Sequence, residues 1–165
     1  MTAPAFKIGN GYDVHAFATG RKLVLGGVTI DFERGLEGHS DADVLVHAVC
    51  DAVLGAAGMG DIGDHFPDTD QRYKNISSMR LLEHCRLLIR EKGLGISNMD
   101  CTVFAQVPKI SPYKEQMAQN IARVLETDAA LINIKATTTE KLGFIGREQG
   151  IAAQCTALLT SIQEE

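Results

Sequence analysis

No apolar run in the sequence approaches the ~18 residues of a membrane-crossing helix. The opening stretch MTAPAFK has neither the apolar core of a secretory signal nor the Arg- and Ser-rich character of a transit peptide, so the cytoplasm is the expected compartment. Cys50, Cys85, Cys101 and Cys155 form no C-x-x-C pair, which argues against a zinc ribbon or a dithiol redox motif. Their apolar neighbours predict reduced, buried thiols. Lys and Arg number 16 against 21 Asp and Glu, for a formal net charge of −5, and the basic residues are spread along the chain. Nucleic acid is therefore not the expected partner. An anionic small molecule is allowed if local cations, metals among them, offset the acidic background. No repeat, low-complexity tract or linker divides the chain.

Apolar residues make up 45% of the sequence and charged residues 22%, the balance of an ordinary soluble globular protein. With 165 residues the chain can bury a real core, and one domain spanning 1–165 is expected. Residues 6–15 read as a strand, and 22–25 and 28–32 flank Gly26-Gly27 as a hairpin. Ser40, with Asp43 three residues on, reads as an acidic variant of a capping box opening a helix rich in Ala, Val and Leu. That helix stops near Gly58-Met59-Gly60. Residues 61–76 form a polar loop of a length that is commonly functional. Helices are predicted over 78–92 and from the turn at Pro108 and Pro112 to 125, strands over 96–106 and 131–138, and a loop over TTTEKLGFIGREQG. Residues 151–162 fit a strand or a helix by pattern alone. Strands interleaved with helices give an α/β (α+β) fold.

Chemistry concentrates in a few places. In GYDVHAF, Asp13 and His15 stand two apart, which in a strand turns both to one face. Either that face is solvated, or something holds the two side chains together. Asp43, His47 and Asp51 recur at four-residue intervals along one stripe of an otherwise apolar helix. Buried charge on such a stripe is costly unless paired or coordinated. Asp13, His15 and His47 together would make a three-ligand zinc site with an open fourth position, if strand and helix meet in space. Asp51 or Asp43 could then orient the second nitrogen of His47. Asp61, Asp64, His65, Asp68 and Asp70 crowd the following loop, where turn chemistry accounts for much of the set and Asp61 is the strongest functional candidate. Lys135, Thr137, Thr138, Thr139, Glu140 and Lys141 suit a phosphorylated ligand with a harder metal on Glu140, or else a solvated strand end.

The ordered series GYDVHAF, LGGVTI, EGHSDADVLVHAVCDAVLGAAGMGDIGDHFPDTD, AQVPKISPY and IKATTTEKLGFIGREQGIA resembles the 2-C-methyl-D-erythritol 2,4-cyclodiphosphate synthases of the non-mevalonate isoprenoid pathway, over nearly the whole chain. The resemblance implies a mixed β-sheet with helices packed on one side, in a homotrimer with active sites between subunits. It implies Zn²⁺ at Asp13, His15 and His47, Mg²⁺ or Mn²⁺ at Glu140, and Thr138 as a further catalytic residue. His39, Ser40, Asp61, Ile62, Gly63 and Asp68 would contact the methylerythritol phosphate part of the substrate. Ala105, Pro108, Lys109, Ile110, Ala136, Thr137, Thr138 and Thr139 would hold its cytidine diphosphate. Phe144 and Arg147 match positions lining a central trimer cavity that can hold an isoprenoid diphosphate; Gln154 stands where some members carry an acidic residue. The implied reaction is attack of the substrate's 2-phosphate on its β-phosphorus, releasing CMP and a cyclic diphosphate. Residues 61–76 are expected to enclose it and limit water. A metal-dependent phosphohydrolase and a zinc-stabilised nucleotide-binding module without turnover are the competing readings.

Overall fold

The computed structural model describes residues 6–67, 69 and 71–162. The first strand, β1 (Phe6–Thr19), turns its odd-numbered residues toward the core. Gly9 and Gly11 head that row for a steric reason. A Cβ at Gly11 would lie 2.0 Å from the Ala48 carbonyl oxygen, and one at Gly9 would lie 2.1 Å from that of Ala52. Glycine at both positions lets α1 (Val44–Ala57) rest directly on the strand. Asp13 and His15 continue the same row and meet the first turn of α1, which carries His47.

Every residue of α1 except His47, Asp51 and Gly55 is buried, so the helix is the centre of the core and not a surface element. Its N-cap is Asp43, whose side chain accepts from the Val46 amide, and it ends at Gly58 in the left-handed region at φ 68°. The expected cap at Ser40 is corrected: the Ser40 hydroxyl accepts from the Ala42 amide at 3.1 Å and closes a local turn ahead of the helix.

A hairpin of β2 (Leu23–Leu25) and β3 (Val28–Ile30) forms around Gly26-Gly27 as predicted. β4 (Arg34–Leu36), β5 (Leu94–Phe104), β6 (Ile132–Thr137) and β7 (Gly150–Ser161) join β1 in a five-stranded sheet of order β4-β1-β7-β5-β6. β5 and β6 run parallel and the other neighbours antiparallel, so the sheet is mixed and the domain is α+β. The ambiguous last segment is thus a strand, seated between β1 and β5 with Cys155 beside Cys101. All four cysteines are buried and free, as expected.

α3 (Ser78–Glu91) and α4 (Lys114–Leu125) follow the predicted bounds closely. Two predicted loops contain helices. Within 61–76, α2 (Ile62–His65) is opened by a true capping box between Asp61 and Asp64, and residues 71–73 form a 3₁₀ turn. Within TTTEKLGFIGREQG lies α5 (Gly143–Gly146). Both α helices span a single turn, too short to leave a periodic trace. The outer face of β1 carries Phe6, Ile8, Tyr12 and Val14, which remain 43–72% exposed. Among the described residues, no helix is long and apolar enough to cross a membrane.

Candidate active site

Asp13, His15 and His47 meet, because β1 and α1 pack against each other as the three-ligand reading required. Asp13 Oδ2 lies 2.8 Å from His15 Nε2 and 3.0 Å from His47 Nδ1, and the two nitrogens are 3.1 Å apart. Ligands held tetrahedrally at zinc-like bond lengths stand ~3.3 Å from each other, so the triangle is within a few tenths of an ångström of a metal's requirement. Two imidazole nitrogens and one carboxylate oxygen are also the donor set that such an ion takes. The far nitrogens of both rings are occupied. His15 Nδ1 donates to the Glu37 carbonyl at 2.6 Å, and His47 Nε2 faces the hydroxyls of Ser40 and Ser78 at 3.0 and 2.9 Å.

The electrostatics follow from this packing. Burial opposes charge on Asp13, but hydrogen bonds to His15 and His47 and their charges outweigh it, holding the carboxyl well below the usual carboxylate range. Burial likewise opposes the His15 imidazolium, yet Asp13 and the Glu37 carbonyl win and raise its pKa. Asp13 and His15 thus each favour the other's charged form.

The expectation that Asp51 or Asp43 orients His47 is corrected. Asp43 is fully buried and accepts from the amides of Gly26, Gly27 and Val46 at 2.9, 2.7 and 3.1 Å. Burial pushes it up to about 6 against the pull of those amides. Its role is to tie the hairpin to the head of α1. Asp51 accepts from the Ile62 amide at 2.7 Å and anchors α2. The helical stripe is real, but only its middle residue, His47, reaches Asp13 and His15.

His15 and His47 open on a cleft of about 490 Å³ that His39, Ser40, Ile62 and Gly63 also line, with Phe66, Pro67, Tyr73 and Leu81 completing the wall. Asp61 caps α2 at the start of this wall and is not itself a lining residue. Asp68 lies outside the described residues. A second cleft of about 450 Å³ collects Ala105, Pro108, Lys109, Ile110, Ala136, Thr137 and Thr138, together with Gln106, Val107 and Ser111. Beside it, the Thr138 hydroxyl donates to Glu140 Oε1 at 3.2 Å, and Thr139 donates to the Leu142 carbonyl at 2.7 Å. Phe144 sits on α5, 40% exposed, and Arg147 follows it, donating to Gln149.

Among the described residues, the two clefts share no lining residue. Strand register puts them at the same end of the sheet, with His15 beside Ile151, Ala152 beside Phe104, and Phe104 beside Thr137. β1, which carries His15, and β6, which ends at Thr137, stand three strand spacings, about 14 Å, apart. The apolar wall leaves little trace in the sequence beyond Phe66-Pro67 inside a polar stretch. Ser78 gave none, reading only as a helix start.

A mixed α+β domain that gathers a carboxylate and two imidazoles beside a cleft has the features of proteins with a candidate metal site next to a small-molecule pocket. Comparison with known proteins narrows the class. Residues 6–160 match the YgbB family, and this chain belongs to it. It is 60% identical to the 2-C-methyl-D-erythritol 2,4-cyclodiphosphate synthase of Geobacillus thermodenitrificans, over 93% of this chain and 96% of that one. Its fold matches the CDP complex of IspF from Plasmodium falciparum with a TM-score of 0.86 and 38% identity, over 98% of this chain and 100% of that one. The bifunctional IspDF of Campylobacter jejuni matches with a TM-score of 0.92 and 49% identity over 96% of this chain, which spans 43% of that longer one.

Proposed function

We propose that this chain, one domain over residues 1–165, is a lyase of the non-mevalonate isoprenoid pathway. It converts 4-diphosphocytidyl-2-C-methyl-D-erythritol 2-phosphate to 2-C-methyl-D-erythritol 2,4-cyclodiphosphate and CMP. The observation that carries this reading is the pairing of a metal-ready triangle and its cleft with a second cleft at the same end of the sheet, in a chain 60% identical to a protein of that name.

The nucleophile is a phosphate oxygen already ionised at neutral pH, so no Ser, Cys or dedicated base is needed. The difficulty is bringing two anions together. Zn²⁺ held by Asp13, His15 and His47, and Mg²⁺ or Mn²⁺ held by Glu140, would supply charge neutralisation and polarise the β-phosphate. The chain's own residues position the reactants. His39, Ser40, Ile62 and Gly63 hold the methylerythritol phosphate in the first cleft, with Asp61 fixing the helix that carries the last two. The backbone at Ala105, Pro108–Ile110 and Ala136–Thr139 holds the cytidine diphosphate, and Thr138 is placed beside the Glu140 carboxylate. The 2-phosphate oxygen forms a bond to the β-phosphorus, the bond to the bridging oxygen breaks, and that oxygen leaves on CMP. Attack within one bound molecule adds a large effective-molarity advantage. Phe66, Pro67 and Tyr73 wall off water and so favour ring closure over hydrolysis.

The separation of the clefts and the exposed apolar row on β1 support a homotrimer in which the first cleft of one subunit faces the second cleft of its neighbour. Phe144 and Arg147 would then line a central cavity fit for an isoprenoid diphosphate. Four free thiols suit a reducing compartment such as the cytoplasm.

Phosphorus NMR of zinc-loaded protein given substrate and Mg²⁺ tests the reading. Cyclic diphosphate plus CMP is expected, with a rate roughly a thousandfold or more lower in His47→Ala, the several kcal/mol a metal contributes to charge stabilisation. Linear product instead would mean a hydrolase, and no turnover would mean a binding module.

A further inference from the structure

Past the pair of Phe104 and Thr137, the Ala105 amide donates to the Thr137 carbonyl at 3.0 Å, and beyond it the regular pairing of β5 and β6 ends. The next residue, Gln106, makes a link of a different kind. Its Oε1 accepts from the Lys141 amide at 3.1 Å, across 35 residues of sequence. What it holds is an uncommon piece of backbone. Glu140 and Lys141 stand in succession in the left-handed region, at φ 52° and 64°, where Cβ crowds the following carbonyl oxygen. Burial does not explain that conformation. Thr137, Thr138, Glu140, Lys141 and Leu142 are all exposed, so little core packing offsets the strain. Polar links hold the turn instead. The Leu142 amide donates to the Thr139 carbonyl at 2.9 Å, and the Thr139 hydroxyl donates to the Leu142 carbonyl at 2.7 Å. Those two bonds lie within the turn, whereas Gln106 grips it from another strand end.

We propose that Gln106 is a positioning residue, which locks the Glu140–Lys141 turn and so sets the Thr138 hydroxyl and the Glu140 carboxylate, 3.2 Å apart, beside the second cleft. The inference rests on reading that cleft as the nucleotide diphosphate site. Gln106 and Thr138 both line it, so one side chain joins the cleft wall to the turn. A turn released from Gln106 relaxes away from its strained conformation. Thr138 and Glu140 then spread over several arrangements, and a ligand must order them as it binds.

Two readouts separate the turn from the cleft. Hydrogen exchange at the Leu142 amide reports whether the turn is closed, without involving Gln106 directly, and calorimetric titration with CDP reports the cleft. Gln106→Met keeps the volume and removes the acceptor. It is expected to speed Leu142 exchange and to weaken CDP binding, each by about 3–10-fold, the worth of one hydrogen bond. Gln106→Glu keeps an acceptor oxygen and is expected to retain slow exchange. The strain is tested by adding Lys141→Gly or Lys141→Ala to Gln106→Met. Both remove the same side-chain charge, but only glycine enters the left-handed region freely. The glycine double variant is therefore expected to recover slower exchange and tighter CDP binding than the alanine one. Unchanged exchange in Gln106→Met would overturn the proposal, as would faster exchange with native CDP affinity, or equal behaviour of the two double variants. If the wild type binds no CDP while exchange follows the expected order, the clamp on the turn stands and the nucleotide reading of the cleft falls.

Discussion

Asp13 and His15 make the stability of the metal-free protein depend on pH from both sides. The Asp13 pKa is lowered in the fold, so its contribution is present above the unfolded value near 3.8 and is lost as pH falls toward the folded one. The His15 pKa is raised, so its contribution is complete below the unfolded value near 6.5 and is lost as pH rises through the folded one. Urea titrations of chelator-treated protein should therefore show greatest stability between those limits and a decline on either side. His15→Gln should flatten the alkaline decline. At this scale the sequence was partly legible. The D-x-H spacing and the helical His47 gave the three metal-facing groups, because strand and helix periods fix which side chains share a face. The partners of the far His47 nitrogen were not legible. Periodicity pointed to Asp43 and Asp51 on the same helix, but those carboxylates are drawn to the amides of Gly26, Gly27 and Ile62. The groups that reach His47 come from a turn and another helix, which no local pattern encodes.

The contact between β1 and α1 decides whether the site exists at all. Gly11→Ala would place a methyl group 2.0 Å from a helix carbonyl oxygen, a clash with rigid backbone that must push α1 off the strand. The expected cost is about 1–3 kcal/mol or more, read as a lowered denaturation midpoint. Because the same movement carries His47 away from Asp13 and His15, zinc affinity should fall with it; a destabilised variant with native affinity would count against this coupling. Long elements were legible from pattern, as α3, α4 and the hairpin show. The single-turn helices α2 and α5 were not, since four residues carry no period. β7 became decidable only through its place between β1 and β5, a long-range pairing that propensity does not see.

At the scale of the whole molecule, the uncovered row on β1 is the feature that asks for a partner. Ile8 is 72% exposed and lies far along the strand from the metal cluster. On the homotrimer proposed above, Ile8→Asp should leave the isolated domain folded while shifting it from trimer to monomer in native mass spectrometry, with cyclase activity lost in parallel. An active monomer would place both halves of the site in one chain. In the sequence the expectation of a trimer rests on family resemblance alone, since an outward apolar residue in a strand looks the same whether it meets solvent or a neighbour.

The separateness of the two clefts has a genetic consequence. A chain disabled at His47 keeps a sound nucleotide cleft, and one disabled at Glu140 keeps a sound metal cleft. Each allele alone is expected to be inactive. In the homotrimer proposed above, the two produced together in one cell would form mixed rings, and every mixed ring would contain a junction at which both sound halves meet. Two null alleles should then complement each other and restore growth that depends on the pathway, whereas a site contained within a single chain would leave the double carrier as dead as either parent.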